Sequence, residues 1–225
     1  MEPLPAIPAP YRVPDLLRWP RWKEWLKRLL VAVGLAGVAL RWWRAHRPPL
    51  AAGPPPASPS SAGRPLRLNL GCGESHYQGY LHADLTWHPH LDLQADARNL
   101  PLRDGCLGEI LATELLEHLD EEGGCCFLAE AARTLVPGGY LILTTPDLDL
   151  LCRAWRVGLL THRQMMQHLY GDQRDHRTLY TKGMVVARCR EAGLVVRRAI
   201  LHWGPAWSHV LVLAQKPPEG AGRGR

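Results

Sequence analysis

The polar residues able to do chemistry in this chain follow short apolar runs. Leu66–Leu70 leads into Gly71-Cys72-Gly73, with Asn69 two residues before the first glycine. Asp84 stands near the end of Tyr80–Leu85, and Asp96-Ala97 come after His90–Leu93. Glu114, Glu117 and His118 come after Glu109–Thr113, and Pro146-Asp147 after Tyr140–Thr145. Two glycines one residue apart let a backbone turn sharply and leave it bare for a ligand. If a helix follows, its free N–H groups deepen the polar pocket. A carboxylate placed as Asp84 is can accept from two ribose hydroxyls. One placed as Asp96 is can take an exocyclic amine while the Ala97 backbone reads an adenine edge. Each acid alone reads as a solvated turn residue. Their serial placement points to a nucleotide-like ligand at the carboxyl edge of a sheet. Imidazole is the side chain best matched to taking a proton near neutral pH, so His118 leads the candidates for a base, followed by His176 and Asp147. His88-Pro89-His90 has no third ligand at a helpful spacing, and no metal site is expected.

These residues need a scaffold of alternating strands and helices. Strands are expected at Leu66–Leu70, Tyr80–Leu85, His90–Leu93, Glu109–Thr113 and Tyr140–Thr145, the last entered through a tight turn at Pro137-Gly138-Gly139. A helix is expected from Asp120 to Leu135, its first turn carrying Glu121 and Glu122 to complement the positive end. Helical stretches follow near Leu148–Tyr170 and Lys182–Ala192. Strands at Leu194–Leu201 and Val210–Ala214 then flank a Trp203-Gly204-Pro205 loop. The pattern is α/β, a mostly parallel sheet of about seven strands closed by an antiparallel hairpin.

The 225 residues carry a formal net charge of +6, and its distribution decides what it means. Residues 1–65 hold 10 Lys and Arg against 3 Asp and Glu, whereas residues 66–225 hold 17 against 18. A near-neutral body argues against a broad nucleic-acid-binding face. The six cysteines form no C-x-x-C pair and no zinc-finger spacing, which favours free thiols and a cytoplasmic setting.

The N-terminal part divides by composition. Residues 1–14 hold five prolines and read as a disordered tail. Residues 15–47 read as a basic, Trp-rich helix: Trp22, Trp25, Leu26, Leu29 and Val33 share one face, and Leu29 to Leu40 is apolar all round. Twelve apolar residues make roughly 18 Å of helix against a hydrocarbon core of about 30 Å. Such a segment suits the membrane interface, a short span, or packing on protein. Residues 48–65, with seven prolines, read as a linker, and residues 66–217 as the folded domain, followed by a disordered tail at 218–225.

The motifs Leu68-Asn69-Leu70-Gly71-Cys72-Gly73, Asp84, Ala95-Asp96-Ala97-Arg98-Asn99-Leu100-Pro101, Leu116-Glu117-His118-Leu119 and Leu135-Val136-Pro137-Gly138-Gly139 resemble those of class I S-adenosylmethionine-dependent methyltransferases. They are most similar to a small bacterial branch that often accompanies surface-polysaccharide genes, as are Tyr170-Gly171-Asp172-Gln173, His176 and Glu191-Ala192-Gly193-Leu194. The resemblance covers about residues 66–215. It implies a Rossmann-like sheet and S-adenosylmethionine as cofactor. Asn69, Gly71, Cys72 and Gly73 would line its methionine part, Asp84 would hold the ribose, Asp96 and Ala97 the adenine, and Glu114 would lie beside it. Asn69 departs from the acid common at that position, His76 stands where a third glycine would, and Gly73 to Asp84 leaves little room for a first helix.

The resemblance implies in-line attack by a substrate nucleophile on the sulfonium methyl. The acceptor is then a small molecule, a glycan or a lipid-linked precursor, the last favoured by a membrane-prone residues 15–47. A second reading is an inactive cofactor-binding module that scaffolds a membrane complex. A nicotinamide-dependent oxidoreductase is disfavoured by the missing third glycine and the early acid. Nucleic-acid methylation is disfavoured by the body's charge. The oligomeric state is not readable from the chain.

Overall fold

A computed structural model describes residues 65–171, 174–204 and 207–219. The expected N-terminal tail, the Trp-rich segment at 15–47, nearly all of the linker and residues 220–225 of the expected C-terminal tail lie outside the described residues. Strands β1 (Leu66–Leu70), β2 (Leu81–Asp84), β3 (Leu93–Gln94) and β4 (Leu107–Thr113) come first. A 3₁₀ turn (Leu116–His118), helix α1 (Glu121–Thr134) and β5 (Leu135–Pro146) come next. Helices α2 (Leu148–Arg156), α3 (His162–Tyr170) and α4 (Lys182–Glu191) precede the hairpin of β6 (Val195–Gly204) and β7 (Trp207–Gln215).

All seven strands form one sheet in the order β3-β2-β1-β4-β5-β7-β6. The pairs β1–β2, β1–β4, β2–β3 and β4–β5 are parallel. β7 runs antiparallel to both β5 and β6. The sheet is therefore mostly parallel with one late hairpin, as the alternation of apolar runs suggests. The central strands are apolar on both faces because both faces are covered: Leu68, Leu107, Ile110, Leu111, Leu141, Ile142 and Leu143 are all fully buried.

Local sequence sets the helix ends. Asp120 caps α1 by accepting from the Gly123 amide at 2.8 Å, and Phe127, Leu128 and Ala131 turn its buried face onto the sheet. Burying a side chain such as Phe127 contributes about 1.5–3 kcal/mol. The single helical stretch expected at Leu148–Tyr170 is two helices. Gly158 ends the first region at φ 72°, and Thr161 with Gln164 forms a reciprocal capping box that starts the second. Leu151, Ala154, Leu160 and Met165 close this pair into a small core of its own.

Several expected boundaries are corrected. The third strand is Leu93–Gln94, three residues later than expected at its start, because the chain from His88 to Leu91 turns through a Leu91 N to His88 O bond of 3.2 Å. Pro137-Gly138-Gly139 is not a turn before the fifth strand but a bulge inside it. Leu107 pairs with Leu135 and Glu109 with Tyr140, so β5 carries extra residues between these two pairs. The Gly138 amide donates to Lys216 O and the Lys216 amide to Gly139 O, both at 2.9 Å. β6 and β7 are also longer than expected, extending to Gly204 and starting at Trp207.

Candidate active site at the carboxyl edge of the sheet

Parallel strands β1, β2, β4 and β5 all end at one edge, and the chemistry-bearing residues gather there in two groups. The first surrounds the glycine turn. Gly71 and Cys72 amides both donate to Ala83 O, at 2.8 and 3.2 Å, which folds the turn back on β2. Gly71 and Gly73 take φ 65° and 49°, conformations open to glycine at little cost. The Gly73 amide donates to Asp84 Oδ2 at 2.9 Å and the Thr86 amide to Asp84 Oδ1 at 2.8 Å. Each carboxylate oxygen thus keeps a lone pair, and the side chain is 16% exposed. Asn69 is buried and donates to Ser75 O at 3.1 Å, pinning the loop that follows the glycines. No helix follows β1; residues 71–80 are turns, as the short interval to Asp84 requires.

A cleft of about 350 Å³ opens beside this turn, lined by Cys72, Gly73, Glu74, His76, His82, His88 and His90. The His76 and His82 rings stack with centroids 4.1 Å apart. Burial, and then the negative Asp84, push the Cys72 thiol up to about 11, so it is a neutral wall of the cleft. Asp96 sits farther along the edge. Its carboxylate accepts from Arg98 Nη2 at 2.7 Å and from the Arg98 amide at 2.9 Å, which holds it below the usual carboxylate range. Ala97 is buried beside it.

The second group lies past β4. Glu114 adopts φ 54°, a left-handed backbone uncommon for a side chain of this size. Three contacts, from β5 and β7, hold it there. Its amide donates to Thr144 O at 3.0 Å, Thr144 Oγ1 donates to Oε1 at 2.8 Å, and His209 Nε2 lies 2.5 Å from Oε2. Burial alone would raise the Glu114 carboxyl, but the His209 hydrogen bond and charge, with the Thr144 hydroxyl, bring it below its usual range. Glu117 is the opposite case. It is 2% exposed, and burial followed by the negative Glu114 pushes its carboxyl well above the ordinary value.

His118 and His176 come together over this group, their ring centroids 5.0 Å apart and edge-on. His118 Nδ1 lies 3.2 Å from Asp175 Oδ2. His176 Nδ1 is 3.0 Å from His168 O, and burial together with His118 lowers its pKa. The loop bearing them is tied to the 3₁₀ turn: the Arg177 and Thr178 amides both donate to Glu117 O, at 2.7 and 3.1 Å. At Gly171, φ 74°, a Cβ would fall 2.8 Å from His176 Cδ2, so only glycine lets the chain pass this close.

Asp147 has a different place. It is 1% exposed, and its two oxygens accept from the Leu150 amide at 2.8 Å and the Lys182 amide at 2.6 Å. It joins α2 to α4 as a cap, which leaves it badly placed to take a proton at the edge. His209, Thr144 and Asp175 were not among the sequence candidates. A polar Ser208-His209 pair opening the apolar run Val210–Ala214 was the available signal for the first.

The antiparallel β7 between β5 and β6 separates this sheet from the all-parallel dinucleotide-binding arrangement. It is the architecture of the class I methyltransferases. The sequence model described as "Methyltransferase domain" matches residues 85–143, from just after Asp84 into β5. No functionally curated protein matches the chain. Among solved structures, it is similar to the Burkholderia thailandensis 1,6-didemethyltoxoflavin-N1-methyltransferase, solved with 1,6-didemethyltoxoflavin and S-adenosylhomocysteine. The TM-score is 0.52 at 14% identity, covering 69% of this chain and 72% of that one. It is also similar to a Thermotoga maritima S-adenosylmethionine-dependent methyltransferase described as a possible histamine N-methyltransferase. There the TM-score is 0.51 at 16% identity, covering 86% and 95%. Family match and sheet order agree: the chain has the class I methyltransferase fold, and residues 85–143 carry the sequence pattern of a methyltransferase domain. The spare lone pairs on Asp84 and the open glycine turn beside the cleft suit a ribose and its flanking chain.

Proposed function

We propose that this enzyme methylates a nucleophile on a small-molecule, glycan or lipid-linked acceptor. The turn Asn69–Gly73 receives the methionine part of the cofactor, Asp84 the ribose, and Asp96 with Ala97 the adenine, Glu114 standing beside it. The cofactor supplies an activated methyl group. Much of the protein's contribution would be to hold the acceptor in line with that methyl group and to exclude water. A hydroxyl acceptor must also lose its proton. His118 takes it, with Asp175 behind the imidazole to hold the ring and balance the new positive charge.

The observation that carries this reading is that the Gly73–Asp84 turn and the His118–His176 pair both lie at the carboxyl edge of one sheet. A basic, Trp-rich segment at 15–47 favours an acceptor presented at a membrane surface; among the described residues no helix is long and apolar enough to cross one. The test is methyl-labelled cofactor incubated with the full chain and cell fractions, followed by identification of the labelled product. Labelling confined to lipid-linked saccharide supports the finer reading, and labelling of nucleic acid alone overturns it. His118→Asn is expected to lower kcat by about 10²–10⁴-fold on a hydroxyl acceptor with cofactor affinity intact. An unchanged kcat removes His118 as the base.

A further inference from the structure

We propose that Glu117, His118 and His176 form a binding site for one divalent transition-metal ion of the zinc class. A donor atom from each of the three lies within 4.8 Å of the other two. The residue types are those of a two-histidine, one-carboxylate zinc site, in which the ion keeps a further position open.

What lifts this group above a chance cluster is the state of the carboxylate. Glu117 is 2% exposed; Thr145 Oγ1 donates to Oε2 at 2.9 Å, while Oε1 is buried with no hydrogen-bond partner among the described residues. Glu117 faces the negative Glu114, and two neighbouring buried carboxyls are held together by a shared proton or by a cation; the two imidazoles alongside suit the cation. Both rings also have an acceptor at Nδ1: Asp175 Oδ2 at 3.2 Å from His118, and His168 O at 3.0 Å from His176. Metal-binding histidines commonly engage their second nitrogen in this way, which orients the ring and leaves Nε2 for the ion. Glu114 adds negative charge nearby, as its effect on Glu117 indicates. Two hydrogen bonds to Glu117 O and one from Thr178 Oγ1 to Leu119 O, at 2.7 Å, fix the loop of His176 against the turn of Glu117 and His118. Donors on a tetrahedral zinc sit about 3.3 Å apart, so side-chain rotation of up to about 1.5 Å closes the site.

Sequence spacing hides this arrangement, since Glu117 and His118 are adjacent and the third ligand is in a distant loop. The ion takes the lone pair that a base needs, so loading it slows transfer that depends on His118, and chelation restores it. This consequence rests on the proposed function; the binding itself does not.

The full chain, stripped with chelator, is titrated with cobalt(II) alone and followed by the visible band of four-coordinate cobalt, then with zinc as competitor. The expected result is one cobalt per chain, displaced by zinc, with at least 100-fold weaker binding in Glu117→Gln and in His176→Ala. The double change His88→Ala with His90→Ala leaves binding unchanged. Glu117→Gln keeps the shape of the buried side chain, and S-adenosylmethionine calorimetry on the same samples verifies that each variant is folded. Should either variant fail that check, His118→Ala, at a partly exposed position, takes its place. Absence of stoichiometric cobalt binding, or binding that survives both single changes, overturns the site while leaving the methyltransferase reading intact. Metal binding without any S-adenosylmethionine binding does the reverse.

Discussion

Asp84→Asn tests the proposed ribose contact with little disturbance of the fold. In the structure the Asp84 carboxylate accepts one amide on each oxygen, from Gly73 and Thr86, and has a second lone pair on each for a ribose hydroxyl. Asparagine keeps one acceptor oxygen and turns the other into an NH₂ that faces an N–H or an O–H. One charge-assisted hydrogen bond to the ribose is lost, worth about 1.5–3 kcal/mol. At 1.4 kcal/mol per tenfold, the dissociation constant for S-adenosylmethionine rises about 10- to 150-fold. Asp84→Ala removes both acceptors and should cost more. The amide that loses its partner is at an exposed turn and finds water, so the unliganded protein gives up only about 0.5–1.5 kcal/mol and its Tm falls by less than about 5 °C. Calorimetry with S-adenosylmethionine and S-adenosylhomocysteine measures the first effect, and a thermal melt without ligand the second. Affinity within threefold of the unaltered chain refutes the ribose assignment. A collapse of the unliganded melt refutes the claim that Asp84 serves the ligand more than the loop.

Three further outcomes follow from the same geometry. Gly71→Ala places a Cβ 2.8 Å from Leu115 Cδ1 at φ +65°; urea unfolding should show a loss of about 1–3 kcal/mol, and an unchanged midpoint would contradict the positive-φ turn. Cys72, buried with its thiol raised to about 11, is ionised in roughly one molecule in 10³ at pH 8 and becomes a thiolate only as pH climbs toward that value. Peptide mass mapping after brief alkylation at pH 8 should find exposed Cys125 and Cys126 modified and Cys72 spared, the reverse order counting against a closed cleft wall. The full chain should float with anionic liposomes while a chain beginning at residue 48 does not; equal flotation of the two would remove the membrane role of residues 15–47.

Much of the architecture is written in local pattern. Apolar runs of five or six residues, each with a glycine or an acid within two residues of its end, place β1, β2, β4 and β5 and align their carboxyl ends before any contact is known. Gly71-x-Gly73 and Asp84 are readable for the same reason, since a tight turn and the carboxylate that closes over it lie only a few residues apart and depend on short-range geometry. The Pro137-Gly138-Gly139 bulge was not readable. Proline and two glycines signal a turn in isolation, and only the pairing of Gly138 and Gly139 with Lys216 keeps them in the strand. The break between α2 and α3 lies between these cases, with Gly158 and the Thr161–Gln164 box present in the chain but outweighed there by its helical spacing.

Chain order alone places acids and imidazoles at one edge; it does not say which of them meet. Asp147 and Glu117 both follow strand ends and look alike as residues. Packing turns the first into a cap shared by two helices and leaves the second buried with an oxygen unpaired. His209 reaches Glu114 from a strand almost a hundred residues later, and His176 is laid against His118 by a loop anchored to Glu117 O. These are long-range contacts between side chains whose local propensities are silent about partners. The chain by itself sets the Gly71–Gly73 turn beside the Asp84 carboxylate, because backbone freedom and residue spacing determine that locally. The grouping of Glu114, Glu117, His118, Asp175, His176 and His209 exists only once β4, β5 and β7 are paired and the loop after α3 is folded over their ends.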